Sequence, residues 1–144
     1  MIKIMIVAVY LFVLSFFDWK EKAVPQLLLW LGGMAAVGML TYGYYERDMQ
    51  WQIYFAESLS AVIPGMCLLI AAFFTKKAGM ADGIVFLILG VFLGRQESMT
   101  VFWISLLMAA VFSGYLLLFC KKGKNYQVPY LPFVTASYLL SLTL

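Results

Sequence analysis

The chain has 144 residues, of which 65% are hydrophobic and only 12% are charged, and its formal net charge is +3. A soluble domain has roughly 45–50% apolar and about 25% charged residues, and a short chain has too little interior to hide such an apolar excess. The composition therefore argues against a soluble enzyme, a nucleic-acid binder and a disordered chain. It predicts one integral membrane domain over residues 1–144. Because the sequence has no His, Ser-His and Cys-His nucleophile pairs and an HExxH zinc site are excluded.

Polar interruptions divide the chain into six apolar segments, at about 2–17, 25–44, 54–75, 83–94, 99–120 and 126–144. Lipid requires the backbone to satisfy its own hydrogen bonds, and the segments are too long and uniform for barrel strands. We therefore expect an all-α bundle of about six transmembrane helices. The fourth segment reaches the width of a bilayer only if residues 78–82 begin it and Arg95 ends it. Pro129 and Pro132 predict an irregular entry into the sixth.

The charges of the loops predict how the bundle is oriented. The loops after the first, third and fifth segments carry most of the cations: Lys20, Lys22, Lys76, Lys77, Lys121, Lys122 and Lys124. The opposite side has only Lys3, Arg47 and Arg95. The positive-inside rule makes the lysine-rich side cytoplasmic, with both termini outside the cell membrane. The first helix then ends, and the fourth begins, on the cytoplasmic side.

Two acidic residues stand apart from those of the outer loops. Asp18 directly follows the first segment and Asp82 directly precedes the fourth. Each has a structural alternative, because Asp is a favoured helix N-cap and an acid at the interface can reach water. A carboxylate at the C-terminal end of a helix opposes the helix dipole, however. The predicted orientation also puts both acids at the same depth, and ionisable residues within a membrane are candidates for function.

A pair of carboxyl groups supports a restricted chemistry. Two neighbouring carboxyls cannot both ionise readily, so they share a proton. The ionised partner can take a proton from water while the protonated partner polarises a carbonyl, as in aspartic proteases. This reaction needs neither a metal nor another cofactor. We therefore expect Asp18 and Asp82 to form a catalytic dyad that hydrolyses a peptide bond near the cytoplasmic face of the membrane.

Three motifs carry a resemblance to a known family. Asp18 lies seven residues before Pro25, residues 79–82 have the sequence Gly-Met-Ala-Asp, and residues 128–133 have the sequence Val-Pro-Tyr-Leu-Pro-Phe. Their order and spacing resemble those of the type IV prepilin peptidases, which are membrane aspartyl proteases. In that family one catalytic Asp precedes a Pro by seven residues, the second closes a G-x-G-D motif, and a late [IV]-P-[FY]-x-P element follows.

The resemblance implies the site and the substrate. It implies Asp18 and Asp82 as the catalytic residues, supported by motif residues Gly79, Pro25, Pro129 and Pro132. The implied protein partner is a type IV prepilin or a pilin-like precursor, whose basic leader is removed at the cytoplasmic face of the lipid bilayer. No cofactor, metal or nucleic acid is implied.

Two departures from the family pattern leave alternatives open. Ala81 replaces the second Gly of the G-x-G-D motif and so loses the freedom to adopt positive φ, and Gln26 replaces the usual Asn. Only one helix precedes Asp18, so the chain resembles the short, protease-only members and we expect no N-methyltransferase activity. The alternatives are a catalytically impaired homologue and a non-enzymatic membrane assembly or transport subunit.

Overall fold

The structure, a computed structural model, describes residues 2–46, 51–75, 79–119 and 128–144. Within these residues the chain forms six helices and no strand. The helices are α1 (Ile2–Glu21), α2 (Gln26–Glu46), α3 (Trp51–Thr75), α4 (Met80–Leu93), α5 (Arg95–Phe119) and α6 (Leu131–Thr143). They follow the six predicted apolar segments in order, so the predicted helical membrane bundle is confirmed.

The helices fall into two classes of length. Helices α1, α2, α3 and α5 are long and apolar enough to cross a membrane. In contrast, α4 has 14 residues and α6 has 13, so each is about 20 Å long and shorter than the roughly 30 Å hydrocarbon core of a bilayer. The fourth segment does not run on to Arg95, because α4 ends at Gly94 with φ +83 and α5 begins at the next residue. Glycine adopts this backbone conformation without strain.

The buried apolar core joins α1, α4, α5 and α6. Its members are Val7, Leu11, Leu14, Val85, Phe86, Leu89, Val101, Leu131, Val134 and Tyr138. Helix α6 runs antiparallel to α1, since the Tyr138 hydroxyl donates to the carbonyl of Ile4 and the Thr135 hydroxyl donates to that of Leu11. Large apolar side chains cover the outer faces of the long helices, which suits a surface in contact with lipid rather than water.

Most of the residues that predict the orientation lie outside the described part of the chain. They are Arg47, Lys76, Lys77, Lys121, Lys122 and Lys124. Lys20 and Lys22 are described, and both are exposed near the C-terminal end of α1. The assignment of this end of the bundle to the cytoplasmic side stays a prediction.

Small residues allow α4 to pack very closely against α3. A Cβ atom added to Gly65 of α3 would lie 2.6 Å from the backbone nitrogen of Leu87, and Gly83 and Gly90 of α4 approach α3 equally tightly. Such close backbone approach is typical of helix pairs in membranes, where van der Waals packing drives association. Because Gly83 follows Asp82 directly, this packing also fixes the start of α4.

Replacing Gly65 with Ala is therefore expected to destabilise the bundle. The new methyl group would meet the backbone of Leu87, which can move only together with α4, and overpacking of this kind costs about 1–3 kcal/mol. Gly33→Ala on α2 is the matched control, because no described atom lies within 4 Å of its added Cβ. Unfolding by detergent titration, followed by circular dichroism, measures both variants. An equal loss of stability in the two would contradict the proposed close contact.

Candidate active site

Asp18 lies in the last turn of α1 and is buried. The helix closes with a left-handed residue, Lys22 at φ 51, whose N–H donates to the backbone carbonyl of Asp18 at 3.0 Å. This is the single-bond form of a common helix C-cap. The Asp18 side chain is only 8% exposed. The alternative of an acid that reaches water at the interface is therefore wrong.

The first turn of α6 supplies hydrogen bonds to the Asp18 carboxylate. The N–H of Leu131 donates to Oδ2 of Asp18 at 3.1 Å, and the backbone of Tyr130 also stabilises the charge of this carboxylate. The first N–H groups of a helix have no partner within the helix, and the positive end of the helix dipole favours an anion. The carboxylate that opposes the dipole of α1 is thus compensated by the dipole of α6.

The two late prolines determine where α6 begins. Pro129 lies in the non-helical residues 128–130, in agreement with the predicted irregular entry. Pro132 lies in the first turn of α6, where its missing N–H interrupts no helical bond. The carbonyl of Tyr130 accepts hydrogen bonds from the N–H groups of Phe133 and Val134, at 3.0 and 3.3 Å. The N–H of Leu131 is left to bind Asp18.

Pro25 has a similar role in starting α2. Its carbonyl accepts hydrogen bonds from the N–H groups of Leu28 and Leu29 at 3.1 and 3.4 Å, so Pro25 directly precedes the first helical residue, Gln26. The seven-residue spacing from Asp18 to Pro25 is therefore the length of the turn that joins the end of α1 to the start of α2.

Asp82 is the third residue of α4 and does not cap it. Helix α4 begins at Met80, and Gly79 is its N-cap, with no hydrogen bond from a capping side chain. The N-cap alternative for Asp82 is therefore wrong. The half-buried Asp82 side chain folds back toward Gly79, where an added Cβ would lie only 3.2 Å from Oδ2. Gly79 thus leaves room for the carboxylate, to which no described residue donates a hydrogen bond.

The replacement of a motif Gly by Ala81 causes no backbone strain. Ala81 is the second residue of α4 and has helical geometry. Among the described residues only Lys22 and Gly94 have positive φ. The position therefore needs none of the conformational freedom that glycine provides.

The two aspartates share one site. Their carboxylates are close enough for their charges to interact, although they come from α1 and α4. The site lies between the two ends of the bundle. Tyr130, which precedes α6, is hydrogen-bonded to Ser105 of α5, and α5 continues for about 20 Å beyond Ser105. Among the described residues, the site combines two carboxyl groups and backbone N–H donors. Two carboxyl groups whose charges interact titrate as a pair, and such a pair can serve acid–base chemistry.

Two residues of this site were not expected from the sequence. The hydroxyl of Tyr130 is hydrogen-bonded to that of Ser105 at 2.7 Å, and the Tyr130 ring lies 6.2 Å from that of Phe86. Tyr130 belongs to the late motif, in which only the prolines were singled out. Ser105 lies in a long apolar segment, where nothing in the sequence distinguishes it from other small residues.

Comparison with known families identifies the chain. The model of the type IV leader peptidase family matches residues 5–114, a range that contains Asp18, Pro25, Gly79 and Asp82. Because the match covers most of the chain, the protein belongs to this family. The motif with Pro129 and Pro132 lies outside the matched range. No curated protein and no solved structure matches the chain.

Asp18→Ala is expected to destabilise the bundle by about 1–3 kcal/mol, because it leaves the buried N–H of Leu131 without an acceptor. Asp18→Asn keeps an acceptor oxygen for this N–H and should therefore lose less stability than Asp18→Ala. Asp82→Ala is the comparison, with an expected loss below about 1 kcal/mol from the helix dipole alone. Unfolding in mixed micelles measures all three. If Asp18→Ala were as stable as Asp82→Ala, the hydrogen bond to α6 would not contribute as described.

Proposed function

We propose that this member of the type IV leader peptidase family is an aspartic endopeptidase that removes the basic leader from type IV prepilins or pilin-like precursors. Asp18 and Asp82 are the proposed catalytic residues. The observation that carries the proposal is the buried Asp18 carboxylate, which is held by the start of α6 and whose charge acts on the carboxyl of Asp82. A structural acid would gain nothing from such a neighbour, whereas a dyad requires it.

The hydrogen bonds support a division of roles between the two acids. The N–H of Leu131 and the backbone of Tyr130 stabilise a negative charge on Asp18, so Asp18 is the proposed general base. Asp82, which has a charged neighbour and no described donor, is the proposed general acid.

The proposed reaction proceeds in two steps. Asp18 takes a proton from water as the water oxygen attacks the scissile carbonyl carbon, and Asp82 gives its proton to the carbonyl oxygen. The proton on Asp18 then passes to the amide nitrogen as the C–N bond breaks, and Asp82 regains a proton from the tetrahedral intermediate. The net change is hydrolysis of one peptide bond, and both acids return to their starting protonation states.

An apolar substrate suits the surroundings of the site. The long helices present large apolar side chains outward, so a precursor with a hydrophobic helix can approach within the bilayer. The lysine-rich loops predict that the site opens toward the cytoplasm and that both termini lie outside, in the plasma membrane. The proposed reaction is leader removal alone, without N-methylation of the product.

Cleavage in membranes tests the dyad directly. Asp18→Asn and Asp82→Asn are each expected to lower the cleavage rate by at least about a hundredfold, because each removes one half of the acid–base pair. The readout is the gel shift of a co-expressed pilin-like precursor, with N-terminal sequencing to identify the cut.

The matched control is Glu97→Gln, which removes an exposed acid at the start of α5, at the opposite end of α4 from Asp82. It should cleave at the wild-type rate. Cleavage that survives either aspartate substitution, at equal protein abundance, would remove that residue from the mechanism. Absence of cleavage by the wild type with a panel of precursors would contradict the proposed function.

A further inference from the structure

We propose that Tyr130, anchored by Ser105, is a positioning residue that sets the geometry between Asp18 and Asp82. This inference rests on the proposed function, since it concerns how the two acids are held for reaction. Neither residue donates to or accepts from the substrate in the mechanism above. Their effect is exerted through the start of α6.

The two hydroxyls of Tyr130 and Ser105 share one hydrogen bond of 2.7 Å. A serine hydroxyl has one hydrogen to donate, and the Phe102 carbonyl lies within hydrogen-bond distance of Ser105 Oγ at 2.9 Å. This second acceptor favours the Tyr130 phenol as the donor to Ser105. Ser105 is fully buried, so water does not compete for its oxygen. The tyrosine side chain is thus tied to a fixed acceptor on α5.

Tyr130 is connected to both helices that carry the acids. It precedes Leu131, whose N–H binds the carboxylate of Asp18 at the end of α1, and its own backbone also stabilises that charge. Its ring packs at 6.2 Å against Phe86, which lies one helical turn from Asp82 on α4. The backbones of α1 and α4 approach each other at few points, and their side chains meet in the shared core. Tyr130 adds a connection close to the two carboxyls.

Loss of the phenolic hydroxyl would loosen this connection without removing it. The ring of a phenylalanine can still pack on Phe86, but its hydrogen bond to α5 would be lost. The start of α6 could then shift, and with it the N–H groups that orient Asp18. A displacement of about 1 Å between reacting groups can lower the rate by up to a hundredfold. Because Tyr130 acts on the acid rather than on the substrate, the effect should fall on kcat and leave KM unchanged.

The test uses the purified full chain in lipid nanodiscs with a pilin-like precursor. The variants are Tyr130→Phe, Ser105→Ala and the two combined. Each single variant is expected to lower kcat about tenfold with KM unchanged. The double variant should be no slower than the slower single variant, since all three lack the same hydrogen bond.

Ser98→Ala is the matched control. Ser98 is also fully buried on α5, but its hydroxyl donates to the carbonyl of Ala61 on α3, away from the acids. This variant should keep the wild-type kcat. An equal loss of kcat in Ser98→Ala would mean that any lost buried hydroxyl on α5 has the same effect, and would overturn the inference. The inference would also be overturned by an unchanged kcat in Tyr130→Phe or by a rise in KM with kcat retained. A double variant whose loss of kcat equals the product of the two single losses would overturn it as well.

A second measurement is independent of activity. Hydrogen–deuterium exchange of the peptide that contains Leu131 should be faster in Ser105→Ala than in the wild type, because the start of α6 is less firmly held. Unchanged exchange would overturn the anchoring role. If the wild type cleaves no precursor, the proposed function fails and the positioning role for catalysis fails with it. The exchange rates then decide separately whether Ser105 anchors the start of α6.

Discussion

The hydrogen bond from the N–H of Leu131 to the carboxylate of Asp18 is the interaction on which the site depends. A buried carboxylate loses its hydration and must be compensated by hydrogen bonds, and at the C-terminal end of α1 it also opposes the helix dipole. The start of α6 provides both the hydrogen bond that replaces hydration and the positive end of a helix dipole. The positions of Pro129, Pro132 and Tyr130 follow from this requirement, because each helps to place the first turn of α6 against Asp18.

The two short helices have a common function in this arrangement. Both α4 and α6 begin at the site, and each brings the positive end of its dipole to one of the two acids: Asp82 lies in the first turn of α4, and Asp18 binds the first turn of α6. A helix that begins within the bundle is necessarily shorter than one that spans it. Two helix N-termini are thus directed toward one point.

The packing of α4 against α3 supports the same site from the other side. Close approach at Gly65, Gly83 and Gly90 holds α4 against a long helix that can span the membrane. The start of α4, and with it Asp82, is thereby fixed relative to the rest of the bundle. Asp18 is held by α6 and Asp82 by α3, and Tyr130 connects the two halves.

The sequence was sufficient to predict the six helices and the short fourth segment, because apolar runs determine these features. It could not predict the partner of Asp18, since the hydrogen bond to Leu131 spans 113 positions in the chain and depends on how α1 and α6 pack. The sequence also could not predict the role of Ser105, because it is an ordinary small residue in an apolar helix. Only the packing of the helices places Tyr130 next to it. The N-cap alternative for Asp82 failed because α4 begins three residues earlier than a cap at that position would require.

The most direct test of this account is the distance between α6 and Asp18 in a lipid bilayer. Solid-state NMR of protein labelled with 15N in leucine and with 13C in the aspartate carboxyl groups measures it through their dipolar coupling. We predict a strong coupling between one leucine amide nitrogen and one aspartate carboxyl carbon, which disappears in Asp18→Ala. Absence of this coupling in the wild type, or its survival in Asp18→Ala, would contradict the account.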